Sequence, residues 1–100
     1  MTEQKEVREL QILKIKMHER EECAKRVVVS VKVAAAKYPM PKHIILRFKF
    51  KDGSEKIAEA VFVSMYKDYA YYFLRAAHAR EVAPLLNEIQ EVKAYEEEAQ

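Results

Sequence analysis

Glycine is almost missing from this 100-residue chain: Gly53 is the only one. Loops such as GxxxxGK[ST] or GxGxxG need glycine so that the backbone can approach phosphate closely, and their absence excludes the common nucleotide-binding enzymes. Cysteine is equally scarce. Cys23 stands alone, so no intrachain disulfide can form, in agreement with a reducing compartment. A catalytic thiol needs a positioned histidine, and none is identifiable for it. Tryptophan is absent, and Asn87 is the single asparagine. No apolar run approaches the roughly 20 residues of a membrane span. The charged segment Met1–Leu10 lacks the apolar centre of a signal peptide. These absences point to a cytoplasmic chain without a membrane segment.

What is present describes a folded domain. Half of the residues are apolar and 34% are charged, a balance typical of globular chains, and the length suits one domain over residues 1–100. The formal net charge is only +2, yet it is unevenly spread. Residues 25–56 hold nine Lys/Arg against Asp52 and Glu55, a local +7, whereas residues 81–100 hold six Glu against Lys93, a local −5. A basic block is either a solvated sheet face or a surface for a polyanion.

The clearest element is a hairpin. In "HIILRFKFKDGSEKIAEAVFVSMY" two β-rich runs meet at Asp52-Gly53, a turn signal because glycine accepts positive φ. Ile44, Leu46, Phe48 and Phe50 alternate with His43, Ile45, Arg47, Lys49 and Lys51. A bulged three-residue loop sets Lys49 opposite Glu55 and Leu46 opposite Ala58. A two-residue turn sets Lys49 against Lys56, a like-charge pair, so the bulged register is preferred. Upstream, "RVVVSVKVAAAKY" reads as a strand with Val27, Val29, Val31 and Val33 on one side. "YPMPK" then forms a stiff connection.

Two segments carry mixed signals. In "LKIKMH", Leu13, Ile15 and Met17 alternate with Lys14, Lys16 and His18, while Val7, Leu10, Leu13, Met17 and Ala24 also make a helical stripe; strand is the narrow preference. From about Lys67 onward helical spacing dominates. Tyr66, Tyr69, Phe73, Ala76 and Ala77 share one side of such a helix, a face for packing on the sheet. Tyr71, Leu74, His78, Val82, Leu85, Ile89 and Val92 share the other, spaced like a coiled-coil seam. Pro84 either kinks this helix or opens a second one. The expected fold is therefore α+β: an antiparallel meander of three or four strands covered by a long C-terminal helix. The second seam predicts a homodimer through Val82, Leu85, Ile89 and Val92.

No stretch carries a catalytic or cofactor signature, and the chain is read as a non-enzyme with no cofactor. His18, His43 and His78 fall on three elements without HxH or HExxH spacing, so no metal site is assigned. Glu21-Glu22 has no pocket to raise a carboxyl pKa, and Ser30 and Ser64 lack a nucleophile elbow. The sharper expectation is binding to single-stranded nucleic acid, which needs cations for phosphate and flat groups for bases. Lys32, Lys37, Lys42, Arg47, Lys49 and Lys51 supply charge, and Tyr38, Tyr71 and Arg75 supply planar groups. The alternatives are a designed or structural scaffold or protein-interaction domain with no natural ligand, or a small-molecule pocket between sheet and helix.

Two resemblances exist at the level of topology. A four-strand meander followed by a dimerising helix resembles the single-stranded-DNA-binding modules of the Whirly type. With residues 3–25 helical, helix–three strands–helix resembles a double-stranded-RNA-binding domain. There "PKH" at Pro41–His43 is similar to that family's Pro-x-His before its second strand. The lysine cluster that opens that family's last helix is missing, with only Lys67 nearby in "SMYKDYA". Either likeness implies a nucleic-acid ligand.

Overall fold

Alternation extends much further along the chain than helical periodicity does. The computed structural model describes residues 8–20, 26–35 and 39–96. It contains seven strands: β1 (Glu9–Leu10), β2 (Ile12–Arg20), β3 (Arg26–Ala34), β4 (His43–Phe50), β5 (Glu55–Met65), β6 (Tyr69–Leu74) and β7 (Ile89–Glu96). Among the described residues helix is confined to α1 (Ala76–Val82) and a 3₁₀ helix over Ala83–Glu88. All pairings are antiparallel, in the order β1-β7-β4-β5-β6-β3-β2. Among the described residues no helix is long and apolar enough to cross a membrane.

The expected meander under a long C-terminal helix is thus corrected to a seven-stranded half-barrel sheet with one short helix. Tyrosine and phenylalanine suit a pleated, half-buried surface, and in "YAYYFL" they alternate with core residues. Ala70, Tyr72 and Leu74 point inward, whereas Tyr69, Tyr71 and Phe73 lie on the outer face. Tyr66 is 49% exposed and Phe73 37%, so these rings are not the helix-borne core their spacing implied. Among the described tyrosines Tyr72 is the buried one. Its ring meets Phe62 edge-on at 5.7 Å, and its hydroxyl donates to the Pro41 carbonyl at 2.6 Å. Burial, with the Glu96 carboxylate near, pushes this phenol up to about 12, while the Arg8 guanidinium acts in the opposite sense.

Helix formation stops early for local reasons. Residue Arg75 at the α1 N-cap makes no side-chain cap, and Pro84 falls in the first turn of the 3₁₀ helix, where its missing N–H costs nothing. Residues 89–96 look helix-prone in composition, but they pair with β4 from Phe50 to Ile44. The proposed dimer seam is dispersed accordingly. Val82 is 1% exposed inside the core, Leu85 belongs to the 3₁₀ helix, and Ile89 and Val92 are strand residues packed on the core.

The hairpin and the valine strand stand as read. Lys49 pairs with Glu55 and Leu46 with Ala58, the bulged register. Val29, Val31 and Val33 are fully buried together with Ile44, Leu46, Phe48, Ala58 and Ala60. Residues 12–20 are strand, with a register shift at Leu13 that returns Ile15 and Met17 to the side of Val31 and Val29. This removes both topological resemblances. Among the described residues no helix precedes the sheet, and β3 joins β6 rather than β4.

Connectivity explains the curl of the sheet. β4, β5 and β6 form a meander, and β7 returns through residues 75–88 to lie beside β4, a Greek key. At the N-terminus, Leu10 pairs with Ala94 but Ile12 pairs with Val33. The strand therefore passes, at Gln11, from one outer edge of the sheet to the other. The Arg8 carbonyl accepts from Glu96 N–H and the Gln11 carbonyl from Ala34 N–H, both at 2.9 Å. Along this short seam the half-barrel is joined, and α1 packs on β3 and β5.

Candidate functional site

The outer face of the sheet is concave where β2, β3, β6 and β5 lie side by side. A cavity of about 330 Å³ opens there, lined by Lys14, Lys16, His18, Ser30, Lys32, Val63, Ser64, Tyr71 and Phe73. Strand alternation places each of them. Lys14, Lys16 and His18 occupy the outward positions of β2, Ser30 and Lys32 those of β3, and Tyr71 and Phe73 those of β6. On β5 the register shifts between Phe62 and Ser64. The bulge pushes Val63 outward to 46% exposure and leaves Ser64 opposite Tyr71.

Electrostatically the cleft is one-sided. Lys14 is the direct cross-strand partner of Lys32, and Lys16 follows on the same face. Among the described residues no carboxylate lines the cleft and none forms an ion pair with these three lysines. Like charges directly opposite each other on a sheet are destabilising, so this pairing has no structural benefit. The Lys32 ammonium lies 4.1 Å from the centre of the Tyr69 ring, a cation–π contact that holds it beside the cleft.

His18 and Ser30 form the polar floor. His18 Nε2 lies 3.1 Å from Ser30 Oγ, and the Ser30 hydroxyl donates to the Lys16 carbonyl at a long 3.4 Å. With the serine proton directed there, the pair uses the Nε2–H tautomer of His18. Its spacing matches that of a nucleophile and its base, but the surroundings do not. Ser30 is only 6% exposed and sits mid-strand, and among the described residues no carboxylate orients the ring. The serine anchors the imidazole. Nor do the described residues contain any group of three or more His, Cys, Asp or Glu placed to hold a metal ion.

Of the residues expected from sequence to contact nucleic acid, Lys32 and Tyr71 are brought together in this cleft. Lys37 and Tyr38 lie outside the described residues. Lys42, Arg47, Lys49, Lys51 and Arg75 do not line it. Arg47 is 3.8 Å from Glu55, Arg75 is 3.6 Å from Glu59, and Lys49 lies between Glu55 and Glu91 in the sheet, so their charge is locally answered. Lys14, Lys16 and Phe73 were missed. The signal for the lysines was the alternation in "LKIKMH", which sets both on the solvent side of a strand.

Tyr66, Tyr69 and Tyr71 continue the aromatic surface from the cleft. Tyr66 and Tyr69 stack at 5.0 Å with 27° between ring planes, and Tyr71 meets them edge-on at 5.7 and 5.4 Å. The arrangement is thus a cationic floor bordered by flat, accessible rings. It suits an anion that carries planar groups. No family model matches this chain, and no curated protein or solved structure matches it either.

Proposed function

We propose that this protein is a non-enzymatic module that binds single-stranded nucleic acid on the outer face of β2, β3, β6 and β5, in the cytoplasm. The observation that carries the reading is the opposed pair Lys14 and Lys32, with no lining carboxylate among the described residues and with Tyr71 and Phe73 at its border. Lys14, Lys16 and Lys32 neutralise phosphates, and the two rings stack bases, a combination that tolerates any sequence because every base has a π-face. A sheet face of this kind fits splayed single strands rather than a duplex groove.

A second reading follows from size. At about 330 Å³ the cavity is at the small end of ligand pockets, large enough for a compact phosphorylated aromatic molecule. The two readings separate in one titration. Fluorescein-labelled oligothymidylate is followed by anisotropy across a salt series, with thymidine monophosphate as competitor. Three phosphate contacts give a log–log salt slope of about −2. Lys16→Ala and Tyr71→Ala each weaken binding roughly tenfold, and Arg47→Ala leaves it unchanged. A mononucleotide that competes as well as the oligomer favours the small ligand. Absence of binding at low salt, or equal losses from Arg47→Ala and Lys16→Ala, overturns the proposal and leaves a protein-interaction or scaffold role.

A further inference from the structure

The tyrosines beyond the cleft extend the site. We infer that the stacked pair Tyr66–Tyr69 is a second base-stacking station, so that a bound strand runs from the lysine cleft across Tyr71 onto this pair. The inference rests on the reading of the cleft as a single-strand interface.

Three observations carry it. First, the rings are continuous with the cleft: Tyr71 lines the cavity and touches both Tyr66 and Tyr69 edge-on. Second, Lys32 is shared, since the residue lines the cavity while its ammonium lies over the Tyr69 ring. It can neutralise a phosphate at the point where the strand would leave the cleft. Third, Tyr66 stacks on Tyr69 and meets Tyr71 edge-on, yet much of its ring stays open. It sits half in solvent at the β5–β6 turn, where its backbone N–H already closes the turn by donating to the Tyr69 carbonyl at 2.8 Å. Lys67 and Asp68 follow in the turn and are both exposed. Their charges offset each other, which leaves the station attractive to a base face and indifferent to phosphate.

Length dependence tests this. Thymidine monophosphate and thymidylates of two, three, four and six residues are titrated against wild type, Tyr66→Ala and Tyr66→Phe. In the wild type, affinity rises on the order of tenfold per stacked base up to the trinucleotide and then flattens. Tyr66→Ala abolishes the last rise, lowering trinucleotide affinity about tenfold, with mononucleotide affinity and far-ultraviolet circular dichroism unchanged. Tyr66→Phe retains the rise, because the ring and not the hydroxyl does the stacking. If Tyr66→Ala alters all lengths equally, or none, the second station is refuted while the cleft stands. If no thymidylate binds the wild type, the cleft reading falls with it.

Discussion

Lys14 faces Lys32 across the β2–β3 pair, and among the described residues no acidic side chain lines the cleft they share. Two ammonium groups in direct cross-strand register cost stability. Under the proposed function the phosphates of a ligand offset that cost, beyond the contact of Lys32 with the Tyr69 ring. Replacing Lys14 therefore separates folding from binding. Lys14→Thr is expected to raise unfolding free energy by about 0.2–1 kcal/mol in denaturant titrations. The same variant should weaken oligonucleotide binding and reduce the salt slope by about 0.7, one phosphate contact. A stability loss together with unchanged binding would contradict the assignment.

Tyr72 provides a test of the core. Tyr72→Phe keeps the ring against Phe62 but deprives the Pro41 carbonyl of its donor, and it should cost about 0.5–1.5 kcal/mol. The phenol of the folded state, at about 12, lies above its ordinary 10.0. Between these values the unfolded chain has released the proton that the native state retains. This contribution to stability is thus complete below pH 10 and is lost as pH rises through about 12. Tyr72→Phe should flatten that alkaline decline in thermal melts; an identical slope in the variant would assign the decline to other groups.

The β4–β5 turn depends on backbone conformation. Gly53 has φ of +92°, and a Cβ there would meet nothing within 4 Å. Gly53→Ala should therefore cost about 1–2 kcal/mol through the left-handed backbone alone, with no rearrangement in chemical-shift maps. Beside it, the Ser54 hydroxyl and backbone N–H donate to Asp52 at 2.6 and 2.8 Å and hold its carboxyl below the ordinary 3.8. That contribution is present above pH 3.8 and fades as pH falls through the lowered value. Ser54→Ala should move the Asp52 titration, followed by NMR, upward.

His78 ties α1 to the sheet. Its Nδ1 accepts the Glu59 backbone N–H at 3.0 Å, which fixes the Nε2–H tautomer. His78→Leu leaves that partly buried donor without an acceptor, at a cost of about 1–3 kcal/mol. Amide exchange at Glu59 should quicken while Val31, in the core of β3, remains protected. Uniform acceleration across both would show global unfolding instead of a local anchor.

Much of the sheet is legible in the residues themselves, because period-two alternation, valine enrichment and Asp52-Gly53 agree over residues 26–65. The ambiguity began where two periods fit the same rings. Tyr66, Tyr69 and Phe73 fall on one helical face, yet Tyr69, Tyr71 and Phe73 fall equally on one strand face. The concentration of aromatics was the cue for strand. For residues 89–96 local propensity misleads: Glu, Gln, Lys and Ala favour helix, but the open edge of β4 supplies seven pairing positions from Ile44 to Phe50 that composition does not reveal. The candidate site was half visible for the same reason. Lys32 and Tyr71 were identifiable as outward groups, whereas their joining with Lys14, Lys16 and Phe73 depends on the order β2-β3-β6, a property of topology and not of any local pattern.

The transfer of the N-terminal strand at Gln11 has a consequence for biosynthesis. Glu9 must find Tyr95, and Leu10 must find Ala94, partners separated by nearly the whole chain. During translation the β4–β5 hairpin can assemble as soon as both strands emerge, but the seam cannot form before β7 has cleared the ribosome. Until then β4 offers an unpaired edge, the sort of surface on which nascent chains associate. Closure is therefore a late, long-range event.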